Sequence, residues 1–400
     1  MNKPHQVKKI LLLSTLFTFI GVAFSGVICS GTAFAAERFS GQAHSRLTST
    51  GQTLSGQKRA FSSGTTALKN QKILFGSCSH QDKVMPILDA INNEQADLFI
   101  FLGDNVYGDT KNMQDLADKY QRLGENPGIK KLLATTPAIA IWDDHDYGEN
   151  DAGSQYTQKA TSKKLMLDFW QEPKDSPRYR QSDGIYTSYL YGKNQQKVHV
   201  ILPDLRWNRD KLAQVSTADY HAKRKPKNMG PYSPSDVDNA SMLGETQWQW
   251  LEQELLKPAA IKIIGSSLQL LPEFTGWESW ANFPQDRNRL MTLIKKHQVN
   301  GVIIISGDTH WGEMSKVSGF LNTKLDYPLW EVTSSGLTEE WKNVSPNKHR
   351  VGNFTNSVNY GELNINWQAS DPTITLRLKD ITGQVFSENQ LTLSSISPSK

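Results

Sequence analysis

Cysteine is nearly absent from this chain of 400 residues: there are two, Cys29 and Cys78. A small disulfide-stapled scaffold is therefore excluded, because such folds need several bridges to replace a core. A second long apolar run is also missing. After about residue 29 no stretch is long enough to span a bilayer as a helix, so no stable membrane insertion is expected of the remainder. No internal repeat is present, which excludes a solenoid or propeller array. Charge bias is slight. The formal net charge is +4, and the first 35 residues hold three lysines and no acid, so the rest carries 41 basic and 40 acidic residues. A balance of +1 offers no basic track for a nucleic acid.

What the N-terminus does hold is an export signal. Lys3, Lys8 and Lys9 precede an apolar run from Ile10 to Cys29, and Ala33-Phe34-Ala35 supplies small residues before Ala36. That pattern predicts a secretory signal peptide over residues 1–35, in place of an uncleaved anchor. No Arg-Arg pair is present, so the general export route suits Lys8-Lys9 better than the twin-arginine one. Export implies a periplasmic or secreted location. Residues 36–71, rich in Ser, Thr, Gly and Gln, read as a disordered leader, and 72–400 as one globular domain. Cleavage removes Cys29 and leaves Cys78 unpaired in an oxidising compartment. Either it is a small buried hydrophobe, or an ion holds it as thiolate.

Short apolar runs punctuate the domain at Ile73–Phe75, Leu98–Leu102, Ala138–Trp142, Val198–Leu202, Ile261–Ile264 and Val302–Ile305. Helical spacing lies between several of them: Val84, Ile87, Leu88 and Ile91, then Thr246–Leu256 and Arg289–Lys296. Continuous apolar strands alternating with helices predict an α/β fold with parallel pairing. After Val317 the segments Leu329–Thr333, Glu362–Trp367, Thr373–Leu378 and Gln390–Leu393 predict an antiparallel part on the same domain.

Four of the six runs end in residues that can ligate metals. Gly76-Ser77-Cys78-Ser79-His80 follows the first, and Gly103-Asp104-Asn105-Val106-Tyr107 the second. Asp143-Asp144-His145-Asp146-Tyr147 follows the third, and Ser306-Gly307-Asp308-Thr309-His310 the last. Singly, each has a structural explanation, as an Asp turn, a helix cap or a hydrogen-bonded histidine. Together they occupy the strand ends where α/β sheets place ligands. Carboxylates gathered there repel by on the order of several kcal/mol unless a cation intervenes. A thiolate and a phenolate beside Asp104 suit ferric iron, whereas the carboxylate-rich remainder suits a hard ion such as calcium. An EF-hand reading of Asp144–Asn150 fails on the placement of its glycine and glutamate.

These blocks resemble the alkaline phosphatase D family of the metallophosphoesterase superfamily. The resemblance runs in order through FGSCSHQD, LGDNVYGDT, IWDDHDYGENDAG, ILPDLR, IIGSSLQ, WANFPQDR and IISGDTHWGE, over about residues 72–340. It implies a layered β-sheet sandwich flanked by helices, with the C-terminal part antiparallel. It also implies that Asp104 bridges two metals, that Cys78 and Tyr107 hold ferric iron, and that Asp144 serves the second metal. His80, Asp308 and His310 fall on the remaining ligand motifs, and His145 on the leaving-group side. Asp308 stands where many relatives have histidine, and Ile264-Gly265-Ser266-Ser267 offers none, so calcium or another divalent ion suits the second site better than zinc.

The implied activity is two-metal hydrolysis of small-molecule phosphate esters, with monoesters and diesters both compatible. Arg206 is a candidate to grip phosphate; its alternative is a salt bridge to an acid such as Asp204. Tryptophans such as Trp277, Trp280 and Trp311 belong to the core or to a substrate mouth. Rival readings are a nuclease- or phospholipase-like phosphodiesterase and, from another class, a calcium-stabilised secreted binding protein. Cys78, Tyr107 and His145 have no role in the last.

Overall fold

Apolar runs as short as five residues make stable strands only when both faces are covered, and this chain covers them by stacking two sheets. The computed structural model describes residues 70–399, apart from 238, 274, 321 and 322. The expected signal peptide, Cys29 and the expected leader through residue 69 lie outside the described residues. The strands are β1 (Asn70–Gly76), β2 (Leu98–Leu102), β3 (Ala138–Ile141), β4 (Thr187–Tyr191), β5 (Val198–Leu202), β6 (Ala213–Gln214) and β7 (Tyr232–Ser233). They continue with β8 (Ile261–Ser266), β9 (Val302–Ser306), β10 (Gly312–Phe320), β11 (Thr323–Ser334), β12 (Asn359–Asn366), β13 (Thr373–Asp380) and β14 (Val385–Thr392).

One six-stranded sheet has the order β14-β13-β12-β1-β2-β3, and the other β10-β11-β9-β8-β5-β4; β6 and β7 form a separate ribbon. The centres are parallel, β1-β2-β3 in one sheet and β5-β8-β9 in the other. The α/β class is thus as the sequence indicated, with two mixed sheets stacked face to face. A Cβ on Gly265 of β8 would lie 3.2 Å from Leu102 of β2, which shows how closely the sheets approach.

Two details differ from expectation. Asn70 and Gln71, the last two residues of the expected leader, belong to β1, and Gln71 is fully buried. Val84 is 87% exposed and the helix runs from Ile87 to Asn93. Pro86 explains this, because the residue before a proline is steered away from helical geometry. The C-terminal strands pair largely antiparallel on the same domain, as expected. They extend both sheets, β12 pairing antiparallel with β1 and β11 pairing parallel with β9. Among the described residues no helix is long and apolar enough to cross a membrane.

Candidate metal centre

Because the central strands of each sheet run parallel, their carboxyl ends point the same way, and the two stacked sheets bring those ends together. Gly307, just past β9, marks the seam. A Cβ there would lie 2.5 Å from Ser77 Oγ and 3.1 Å from the Leu102 carbonyl, at the ends of β1 and β2. Cys78, Asp104, Asp308 and His310 all have left-handed backbone conformations, with φ of 61°, 50°, 73° and 61°. Such conformations cost on the order of 1 kcal/mol or more for each such residue and concentrate at functional sites. Here they aim four side chains inward from three turns, those after β1, β2 and β9.

Two donor clusters share one carboxylate. Ligand atoms of Cys78, Asp104 and His310 lie within 4.8 Å of one another, as do those of Asp104, Asp144 and His145. Around Asp144 the carboxylates continue with Asp143 and Asp308 on one side, and Asp151 and Glu278 on the other. Cys78 Sγ is 3.4 Å from Asp104 Oδ2 and 3.3 Å from the hydroxyls of Ser77 and Ser335. Tyr107 Oη is 3.1 Å from His310 Nε2. His80 stands apart. Its ring stacks on Tyr107 at 4.9 Å and its Nδ1 accepts from the Asp82 amide, so it belongs to neither cluster.

The electrostatics are those of a site short of positive charge. Burial, then the charges of Cys78 and its acidic neighbours, pushes Asp104 well above the usual carboxylate range. Burial with Asp143 and Asp144 does the same to Asp308. The Cys78 thiol is pushed up to about 12 by burial, against the hydrogen bonds of Ser335 and Ser77. Burial lowers His310 to about 4, which leaves a neutral imidazole, the form that binds metal. Asp104 Oδ1, Asp143 Oδ2 and Asp144 Oδ1 are buried and accept no hydrogen bond. An uncompensated buried carboxylate oxygen is costly, and a cation offsets that cost. A thiol, a neutral imidazole, a phenol and a shared carboxylate on one side, with carboxylates on the other, fit two metal ions.

His145 is anchored through one ring nitrogen. Its Nδ1 is 2.7 Å from Asp109 Oδ1, which orients the ring. Burial opposes its charge, but Asp144, Asp104 and Asp109 outweigh burial and raise it to about 11.

Arg206 is placed differently from the phosphate-gripping expectation. It is fully buried; its Nε donates to Asp143 Oδ1 at 2.6 Å and its Nη1 to Glu278 Oε2 at 2.5 Å. Nη2 lies 3.6 Å from Asp144 Oδ1. The ion-pair alternative is the one realised, though its partners are Asp143 and Glu278. Asp204 instead accepts the backbone amide of Arg206. Ser267 Oγ completes Asp143 Oδ1 at 2.6 Å, so the expected histidine-free segment does contribute an oxygen. Asp146, also buried, accepts the backbone amides of Asp104, Asn105 and Asp143 and so ties the β2 and β3 turns together. Sequence reasoning gave no role to Asp109, Asp151 or Glu278. Asp109 and Glu278 lie far along the chain from the residues they support, and Asp151, though only seven residues from Asp144, is marked by no spacing rule.

The PhoD-like phosphatase family profile matches residues 73–373. Alkaline phosphatase D of Bacillus subtilis (strain 168) is 23% identical over 258 residues, covering 54% of this chain and 42% of that protein. The match thus spans about two fifths of that relative's length. The solved structure of PhoD superposes with a TM-score of 0.60 at 17% identity, over 82% of this chain and 69% of the other. GAP50, the anchor in the inner membrane complex of Plasmodium, superposes at 0.50 and 14%, over 82% and 90%. At such identities the structural likeness is one of fold. The profile match covers most of the chain, and the protein is a member of the PhoD-like phosphatase family.

Proposed function

We propose that this protein is an exported, metal-dependent hydrolase of small-molecule phosphate esters. One observation carries the reading: Asp104 belongs to two donor clusters at the meeting point of the parallel strand ends. Cys78, Tyr107, Asp104 and His310 would hold ferric iron. Asp104 and Asp144, with Asp143 or Asp308, would hold calcium or another divalent ion. When bound, the ions supply Lewis-acid charge that polarises the phosphoryl group and makes hydroxide available near neutral pH.

The remaining roles fall to the chain. Asp109 holds His145 by Nδ1, which leaves Nε2 to deliver a proton to the departing alcohol oxygen. Arg206 is a positioning residue: bonded to Asp143 and facing Asp144, it holds two carboxylates at their stations without touching substrate. His80 steadies Tyr107 by stacking. Among the described residues no lysine or arginine lines the cavity over the cluster, which disfavours a nuclease-like reading.

The test is hydrolysis of p-nitrophenyl phosphate and its bis-ester, with and without iron and calcium. Metal-dependent release from either supports the reading. Silence from a protein with both ions bound would overturn it.

A further inference from the structure

We propose that the outer wall of the cavity over the metal cluster is a subsite for an ester arm carrying an organic cation, of the quaternary-ammonium type. The inference rests on the phosphoesterase reading and adds a substrate class to it.

The cavity is about 200 Å³. Its floor is the carboxylate cluster, and its outer wall includes Asn150, Asp151, Trp277 and Trp341. Among the described residues no lysine or arginine lines it, and the nearby Arg206 and Arg209 are committed to Asp143 and Glu278. His145, on the floor beside the ion sites, is the cation of the lining, so an anionic ester arm would meet no counter-charge along the outer wall. The wall offers aromatic faces instead. The Trp277 and Trp341 rings stand 5.4 Å apart at 80°, which makes a corner, not a flat platform. Trp341, 38% exposed, forms the open side. The His310 ring lies 6.5 Å from it, so the corner adjoins the metal ligands directly. The Asp151 carboxyl group accepts the Tyr232 hydroxyl and adds polar oxygen to the same wall.

The corner is held before any substrate arrives. Gly276, at φ +80°, sits so close to Gly230 that a Cβ would lie 2.6 Å from the Gly230 carbonyl oxygen. The Gly230 amide donates to Thr275 at 3.1 Å and the Tyr232 amide to Gly276 at 2.9 Å, which fixes the loop bearing Trp277. On the other side the Trp341 amide donates to the His310 carbonyl at 3.0 Å, and Ser345 Oγ to the Asn228 carbonyl at 2.7 Å. Two perpendicular indoles fixed in advance favour a cation through their ring quadrupoles, at little ordering cost. A neutral arm of equal size gains only the apolar contact.

The metal-loaded protein is to be assayed on p-nitrophenyl phosphocholine and on p-nitrophenyl 3,3-dimethylbutyl phosphate, which has the same shape without the charge. The expected kcat/KM preference for the cationic ester is about 2- to 30-fold, falling to unity in Trp341→Leu and partly retained in Trp341→Phe. Equal rates on the two diesters, with p-nitrophenyl phosphate cleaved, overturn the cation subsite and leave the phosphoesterase reading standing. If no ester is cleaved with both ions bound, the phosphoesterase reading falls. Wherever the diesters are not cleaved, indole fluorescence decides the corner alone. Quenching by choline at lower concentration than by 3,3-dimethylbutanol, lost in Trp341→Leu, supports it; equal quenching overturns it.

Discussion

Two regions of this molecule bury several charges, and they solve the problem in opposite ways. Along β12 and β13, Glu362 is fully buried but receives Arg377 at 2.7 Å and Lys379 at 2.6 Å. Lys379 also reaches Glu94 at 2.6 Å, which in turn binds Lys72 and Tyr360 at 2.8 Å each. Burial pushes Glu94 up, yet these partners hold it down at about 2. At the strand ends of the two sheets, Asp104, Asp143 and Asp308 are driven upward instead. Arg206 is the cation that pairs most directly with the crowd, and Glu278 divides its charge. The first network is closed by the chain's own cations and is structural. The second is left open in the direction of the cavity, as a site requires if ions from outside are to complete it.

Removing the shared acid should break the contrast most severely. Asp104→Asn is expected to lose both ions, measured by elemental analysis, and to lower p-nitrophenyl phosphate turnover by about 10³-fold or more. His145→Ala should lower turnover by about 10²–10⁴-fold while metal content stays. Loss of metal in that variant would mean that His145 is a ligand. In the self-compensated network the pattern should reverse. Lys379→Met is expected to cost about 3 kcal/mol in denaturant unfolding, with metal content and activity unchanged.

A pH series on metal-free protein sharpens the comparison. Asp143, at about 6, and Asp146 and Asp151, at about 8, are raised above their unfolded values mainly by burial. Their contribution is complete below the unfolded value and is lost as pH rises through 6 and 8. Glu94 and Glu254, held at about 2, contribute above their unfolded value, and that part is lost as pH falls towards 2. Melting temperature without metal should therefore peak near ~pH 5. Adding ions should move the peak upward, because they bind the ionised acids. An unchanged peak would mean that the acids are not the ligands. The smallest effect expected is from Asp308→Asn, which should stabilise the metal-free protein by about 1 kcal/mol while weakening metal uptake.

Much of the site was readable as short motifs because parallel strands deliver their next residues to one edge. Once Leu98–Leu102 and Val302–Ile305 were read as buried parallel strands, the positions of Asp104 and of Asp308 and His310 followed. His80 shares a turn with Cys78, but its ring stacks on Tyr107, a placement that no spacing along the chain reveals. Arg206 was readable as functional and not by role, because its partners Asp143 and Glu278 are 63 and 72 residues away along the chain. Glu313, buried under Arg350, and Glu331, whose carboxylate accepts the Leu270 and Leu271 amides, likewise find their partners far along the chain.

By itself, the sequence determined the elements and the donor types: apolar runs that must be covered on both faces, and turns carrying thiol, imidazole, phenol and carboxylate. Those properties are local, set by hydrophobic period and side-chain chemistry. Only the tertiary structure decided which acids are neutralised by the chain and which remain open to an ion. That depends on through-space distance and burial, and the energy of a charge is set by what lies within a few ångströms of it, however far away along the chain that neighbour lies.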